Sequence, residues 1–520
     1  MRVIDFFDRG CELDPSALAF IMPDGSSASY GALRDASSGI AAAMAAEGGA
    51  PPHVAVYSPN DWRAFLPILA AFRAGAVWVP INARNVLPDN VAFMNVVEVD
   101  WLFYHSSFSS QVEEIRRQVP SIRRLVCLDR EDGAIPSLER LVATEGSGAV
   151  PDIPEDPHRE AVMMQTGGTT GTPKAVVQSE GCWATMIALG WQLTPSDSRP
   201  VHLMAAPMTH GAGFLAYIWM AGGATNIVLD RVAPSAVLDA IERHRVTHMY
   251  LPPTALYSLL AMPGLRDRDT SSLRYFVVSA APVSPDKLRE AVEVFGPCMC
   301  QAYGQAESPA FLTWLSPART AEAARDPRLA HRLRSCGQST LLSRVAVLDD
   351  AGRTVAPGTT GELCMKGGLR MLGYYKNAAA TEEIRDAAGW QHTGDMGYRD
   401  ADGFFYIVDR KKDMIVSGGF NVFSAEVERA LNAHPAVRDC AVFAVPSEKW
   451  GEAVHATVEL KPGATATSEE LILFAKEQIG GVKAPKAIDF ADSLPRSPVG
   501  KVLKRALRAP YWAGRDRAVG

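Results

Sequence analysis

Along most of the chain, short apolar runs are separated by longer stretches in which apolar residues recur every three or four positions. Residues 53–57, 77–81, 102–104 and 125–128 have the length and composition of buried strands, whereas 62–74 and 111–118 carry helical periodicity. The alternation continues through strand-like runs at 201–205, 226–229, 248–251 and 275–279, each followed by a segment of helical period. This order predicts layered sheet and helix reaching about residue 408.

From 334 to 362 the texture becomes β-rich, with the turn signals DDAGR and APGTTGE, which predicts a small antiparallel subdomain. Beyond Lys412 a shorter α+β unit is expected: a strand, a helix at 424–433, strands at 437–445 and 453–460, and a helix at 468–478. The fold class is therefore α/β, with a large N-terminal domain of layered sheets, a small β-rich subdomain and a small C-terminal α+β domain. Length agrees, since 520 residues exceed what a single core organises.

Composition narrows the classes of function. A net charge of −6 gives no basic footprint for nucleic acid. Asp5 and Asp8 fall where a secretory signal would be apolar, so export is not expected. The most apolar segments, 64–81 and 214–224, are too short or are interrupted by Pro67, Arg73 and Pro80, so neither spans a bilayer and a cytoplasmic location is expected. The eight cysteines are scattered; Cys298 and Cys300 are one residue apart rather than two to four, which predicts buried free thiols and not a zinc pair.

Chemistry first shows at MMQTGGTTGTPKAVVQS, residues 163–179. Gly167, Gly168 and Gly171 let backbone N–H groups turn toward an anion. Thr166, Thr169, Thr170 and Thr172 add hydroxyl donors, and Lys174 adds charge, a combination suited to a polyphosphate. It is not the P-loop of nucleotide hydrolases, because Pro173 precedes Lys174 and Ala175 follows it. On its own the segment also fits a surface turn of small residues.

TGGTTGTPK resembles the signature loop of the adenylate-forming (AMP-binding) superfamily, which includes acyl-CoA and aryl-CoA ligases, peptide-synthetase adenylation domains and beetle luciferases. Further matching segments follow in the family's order: QAYGQAES, GELCMKG, MLGYYKN, HTGD, DRKKDMIVSGGFNVFSAEVE and LPRSPVGKVLKRALR. The resemblance covers nearly the whole chain. It implies an N-terminal domain at 1–408 that binds ATP and a carboxylic acid, a hinge at 409–412, and a mobile C-terminal domain at 413–520. It also implies a two-step reaction, in which the acid displaces pyrophosphate from ATP and a thiol then displaces AMP from the acyl-adenylate.

By the same resemblance, Lys501 is the catalytic lysine of adenylation, which as an isolated feature would read as part of a solvated basic tail. Glu307 is the Mg²⁺-associated carboxylate, and Lys174 and His210 complete the catalytic set. Gln301, Ala302, Tyr303, Gly304, Gln305 and Ala306 border the nucleotide, with Tyr303 stacked on adenine, and Ala280 and Ala281 line adenine on one side and acid on the other. Asp395 accepts the ribose hydroxyls, Arg410 holds the ribose and phosphate end, and Lys412 is the hinge. Ser417, Gly418 and Gly419 form the pantetheine loop, although GG also suits a plain strand turn.

The sequence departs from the family pattern at Ala306, where a threonine hydroxyl usually stands, at Ala302, usually glycine, and at Gln178 to Glu180, usually basic or histidine-containing. His210, Ala280 and Ala302 border the acid; the absence of an aspartate near His210 disfavours an α-amino acid, and the added Ala302 methyl favours a shorter or flatter acid. The expected co-substrates are ATP with Mg²⁺ and CoA, and a carrier protein or a second copy of the chain is left open as a partner. The leading function is an AMP-forming acid:CoA ligase. The alternatives are an adenylating enzyme with a carrier-protein or other acceptor, and a non-catalytic nucleotide-binding homologue.

Overall fold

The apolar runs near the start of the chain form strands whose bounds shift by at most a residue or so from those expected. Val77–Pro80, His53–Tyr57, Trp101–Tyr104 and Arg124–Cys127 lie side by side in parallel. Most of their residues are buried, which is why they read as continuous apolar sequence and not as alternation. Glu160–Thr166 adds a parallel strand at Trp78↔Val162, and Lys174–Ser179 and Gly373–Tyr374 extend the edge antiparallel. The expected helix at 62–74 is a 3₁₀ turn, Trp62–Ala64, leading into the α-helix Phe65–Arg73. That arrangement leaves Pro67 in the first helical turn, where its missing N–H costs no hydrogen bond.

The computed structural model describes residues 1–166, 173–209, 211–496 and 502–513. Its chain divides by contact into two compact units, one of Met1–Val345 with Met365–Gln391, the other of Ala346–Cys364 with His392–Gly520. In the first unit a second sheet centres on six parallel strands, in the order Met299–Gln305, Tyr275–Val278, His248–Leu251, Val201–Met204, Thr225–Val228 and Leu18–Ile21. Antiparallel strands flank this set, Ser308–Leu315 on one side and Ser27–Ser29 on the other. Aromatic side chains dominate part of the core: Trp78 meets Phe72, Trp183 and Phe214 edge-on, with centroids 6.2, 5.8 and 5.3 Å apart.

The β-rich sequence of 334–362 contributes the strands Gly337–Ser339 and Ser343–Leu348 and the start of Gly361–Gly367, and further along the chain Gln391–Arg399 pairs antiparallel with Phe404–Arg410. The C-terminal sheet runs Phe420–Val422, Ile415–Ser417, Gly451–Leu460 and Val437–Ser447, with Ala487–Phe490 parallel to Gly451–Leu460. Helix Ser424–Asn432 packs on it, and Ser468–Lys483 starts at a capping box of Thr467 with Glu470. All eight cysteines are free, and all but the half-buried Cys336 are buried. No helix among the described residues is long and apolar enough to cross a membrane.

Candidate active site

Strands Glu160–Thr166 and Lys174–Ser179 pair in the register Thr166↔Lys174, so these two residues face each other at the end of the hairpin from which the connecting segment 167–173 leaves. Gly167, Gly168, Thr169, Thr170, Gly171 and Thr172 lie outside the described residues, as do His210 and Lys501. The Lys174 ammonium sits 5.1 Å from the centroid of the Tyr374 ring. Tyr374 comes from the edge strand that pairs with this hairpin at Tyr374↔Val176, and its hydroxyl donates to Glu307 Oε1 at 2.8 Å. Burial and the neighbouring carboxylate push the Tyr374 phenol far above its ordinary pKa, so it remains a donor. The fold thus gathers Lys174 and Glu307, 133 positions apart in sequence, around one tyrosine.

The backbone beneath Glu307 is clamped from several directions. Gln391 Nε2 and the Met371 N–H both donate to the Glu307 carbonyl, at 2.8 and 3.1 Å. Gln178 Nε2 donates to the Ala306 carbonyl at 2.7 Å, while Gln178 Oε1 accepts the Trp183 indole N–H at 2.8 Å. Glu180 accepts the Val3 N–H at 2.6 Å, and burial raises its pKa. The unusual Gln178 and Glu180 are therefore buried hydrogen-bonding residues. At Gly304 a Cβ would come within 2.6 Å of the Ala310 nitrogen, which accounts for glycine between Tyr303 and Gln305.

Tyr303 is buried, and Ala302 beside it is half-buried on the same strand. Ser279 Oγ donates to the Ala302 carbonyl at 2.7 Å, which ties the Ala280 and Ala281 strip to that strand. Ala280 has φ of +73°, a left-handed conformation that costs a non-glycine residue about 1–2 kcal/mol. Held strain of this kind gathers at functional sites. Gln301, by contrast, turns its amide toward the Leu333 and Ser335 carbonyls.

In the second unit, Arg410 Nε lies 2.7 Å from Asp395 Oδ1, and the two residues are cross-strand partners. Glu362 braces both flanks of this pair. Its Oε1 accepts the Gly394 N–H at 3.0 Å, and its Oε2 lies 3.0 Å from His392 Nδ1 and 2.9 Å from Lys411 Nζ. Burial opposes the Glu362 charge, but His392 and Lys411 outweigh it and lower its pKa. Glu362, Cys364 and His392 bring metal-capable atoms together, yet the Lys411 ammonium already occupies the carboxylate oxygen that faces His392. Burial lowers the pKa of Lys412 in the 3₁₀ turn Lys411–Asp413. Gly418 and Gly419, with φ of +60° and +81°, join Ser417 to its partner Phe420 as a two-residue hairpin turn. A Cβ on Gly418 would meet Trp450 Cε3 at 2.7 Å.

Glu307 fits Mg²⁺: a carboxylate is a hard oxygen ligand, Tyr374 engages one of its oxygens, and Oε2 accepts no bond among the described residues. Sequence reasoning did not single out Tyr374, Gln178, Gln391 or Glu362 as working residues. Tyr374 lay within the quoted MLGYYKN, and Gln178 was visible as a departure from pattern.

The sequence matches the AMP-binding enzyme family over residues 7–375 and the AMP-binding enzyme C-terminal domain over residues 426–501. A medium/long-chain-fatty-acid–CoA ligase of Mycobacterium tuberculosis, FadD8, is 39% identical over 432 residues, 79% of this chain and 73% of that relative. A feruloyl-CoA synthase of Amycolatopsis is 32% identical over 512 residues, 97% of this chain and 98% of that one. The crystal structure of ATP-bound MatB from Rhodopseudomonas palustris superposes with a TM-score of 0.85 at 27% identity, covering 98% of this chain and 99% of that one. The chain belongs to the AMP-binding enzyme family. Its class is that of the AMP-forming acid–thiol ligases, which use ATP, Mg²⁺ and a thiol acceptor.

Proposed function

We propose that this enzyme converts a carboxylic acid and ATP to acyl-AMP and pyrophosphate, then transfers the acyl group to CoA. The observation that carries the reading is the meeting of Lys174, Tyr374 and Glu307 at the hairpin end that adjoins segment 167–173. In the first step a carboxylate oxygen attacks the α-phosphorus and the bond to the β-phosphate breaks. Lys174 and Lys501 supply positive charge to the phosphoryl oxygens as negative charge builds there. Bound at Glu307, Mg²⁺ supplies charge neutralisation of the phosphates. In the second step the thiolate sulfur attacks the acyl carbon, the bond to the phosphate oxygen breaks, and AMP leaves.

Within this reading Asp395 and Arg410 hold the ribose, His210, Ala280 and Ala302 border the acid, and Ser417, Gly418 and Gly419 admit the pantetheine arm. The hinge expected at 409–412 would make Lys412 the pivot on which the C-terminal domain turns between steps, whereas the division by contact falls between Gln391 and His392. The Ala302 methyl favours a shorter or flatter acid, and ferulate, a planar aryl acid, is the natural first member of a test panel.

Acid-dependent pyrophosphate exchange across short, aryl and long-chain acids, followed by addition of CoA, tests the whole assignment. Exchange with one class of acid and acyl-CoA on adding CoA are expected. Acyl transfer only to a carrier protein would replace the acceptor, and no exchange with any acid would overturn the reading. Lys501→Ala should remove exchange while largely sparing thioester formation from supplied acyl-adenylate.

A further inference from the structure

Tyr374 touches two groups with different tasks in adenylation, ring face toward the Lys174 ammonium and hydroxyl on the Glu307 carboxylate. Its own backbone is fixed on both sides. The Tyr374 N–H donates to Thr381 Oγ1 at 2.9 Å, the Leu372 and Tyr375 N–H groups donate to Val177 and Ala175 carbonyls at 2.8 and 2.9 Å, and Arg385 binds the Met371 and Leu372 carbonyls. A rigid phenol between opposite charges can hold a carboxylate in one rotamer and keep a lysine from collapsing onto it. Each charge then stays available to a ligand.

We infer that Tyr374 is the positioning residue of the metal and phosphate site: its hydroxyl fixes Glu307 so that Oε2 is the oxygen offered to a divalent cation, and its ring holds the Lys174 ammonium ready for phosphate. The inference rests on the reading of Glu307 as the Mg²⁺ carboxylate. Outer partners that orient a metal ligand typically contribute a factor of about 10–100 in metal affinity. A tyrosine serving only to fill space would contribute none.

Mn²⁺ binding to the full chain, followed by electron paramagnetic resonance with a non-cleavable ATP analogue, separates these roles without turnover. Tyr374→Phe keeps the ring and removes the hydroxyl; it should weaken Mn²⁺ binding about tenfold, at the lower end of that range, with analogue affinity and Tm near wild type. Tyr374→Leu removes the ring as well and should weaken the analogue too. Glu307→Gln should abolish the tight Mn²⁺ component. Wild-type Mn²⁺ affinity in Tyr374→Phe, alongside a loss in Glu307→Gln, would overturn the role of Tyr374 and leave the metal reading intact. Wild-type Mn²⁺ affinity in Glu307→Gln would overturn both. If Tyr374→Phe does not fold, an analogue affinity unchanged in Tyr374→Leu overturns the inference.

Discussion

At Gly304 the space for a single methyl is absent, since a Cβ would lie 2.6 Å from one Ala310 backbone atom and 2.8 Å from another. The backbone turning from Tyr303 to Glu307 would have to shift, and that shift reaches the carboxylate. Gly304→Ala should cost about 1–3 kcal/mol of stability, the usual range for overpacking, and lower pyrophosphate exchange more than tenfold. Thermal unfolding and exchange kinetics check the two effects separately. At this scale the sequence offered candidates wherever a motif carries residue type, as at Lys174, Glu307 and Asp395, and the structure brings Lys174 and Glu307 to one tyrosine. It was silent where a side chain matters through a distant partner: Gln178 reaches Ala306 and Tyr374 reaches Glu307 across 128 and 67 positions of chain.

Among the elements, apolar runs located eight parallel strands to within a residue, because burial on both faces leaves polar residues little room. The polar exceptions carry consequences. His202 and His248 are cross-strand partners on adjacent parallel strands and both are buried. Burial lowers the His202 pKa to about 3 and the His248 pKa to about 4, from an ordinary value of 6.5. Each histidine is therefore neutral in the folded chain at pH values where the unfolded chain binds a proton. Their contribution to stability is present above about pH 6.5 and is lost as pH falls toward the folded values, by at most about 1.4 kcal/mol per pH unit for each histidine. Urea unfolding at pH 7 and pH 5 should show this loss, and His202→Asn should flatten it. An equally steep fall in the variant would assign the acid sensitivity elsewhere. Strand order was not legible from such runs: Leu18–Ile21 pairs with Thr225–Val228, a closure decided by packing across two hundred residues and not by local pattern.

At the scale of the whole molecule, the series of motifs in family order made the class of chemistry readable, whereas the contact pattern that groups Ala346–Cys364 with the C-terminal residues has no local signal. The segment after Lys501 shows how the tail is held. Arg496 bridges to Val502, and the Leu503 N–H donates to the Pro495 carbonyl at 2.7 Å. Lys504 then donates to Ser424 Oγ at 2.6 Å and pairs with Glu428 at 2.8 Å. Burial opposes the Lys504 charge, but Glu428, Asp409 and Asp413 outweigh it and raise its pKa. Lys504→Met leaves Glu428 buried without its cation and should destabilise the C-terminal sheet by about 3–5 kcal/mol. Hydrogen exchange along Val437–Ser447 and Gly451–Leu460 would register the loss, and unchanged protection there would contradict it.

The hairpin register Thr166↔Lys174 also bears on how sequences of this kind can diverge. Sliding Lys174–Ser179 by one residue would exchange its two faces, turning Lys174 away from Tyr374 and the buried Val176 toward the opposite side. Substitutions between Thr166 and Lys174 leave that register alone, but an insertion or deletion of one residue does not. Among descendants of this chain, the segment is then held in length by the register and in residue type by its expected phosphate role, and a library with single-residue length changes there should be depleted of active clones, as should one with its glycines and threonines randomised.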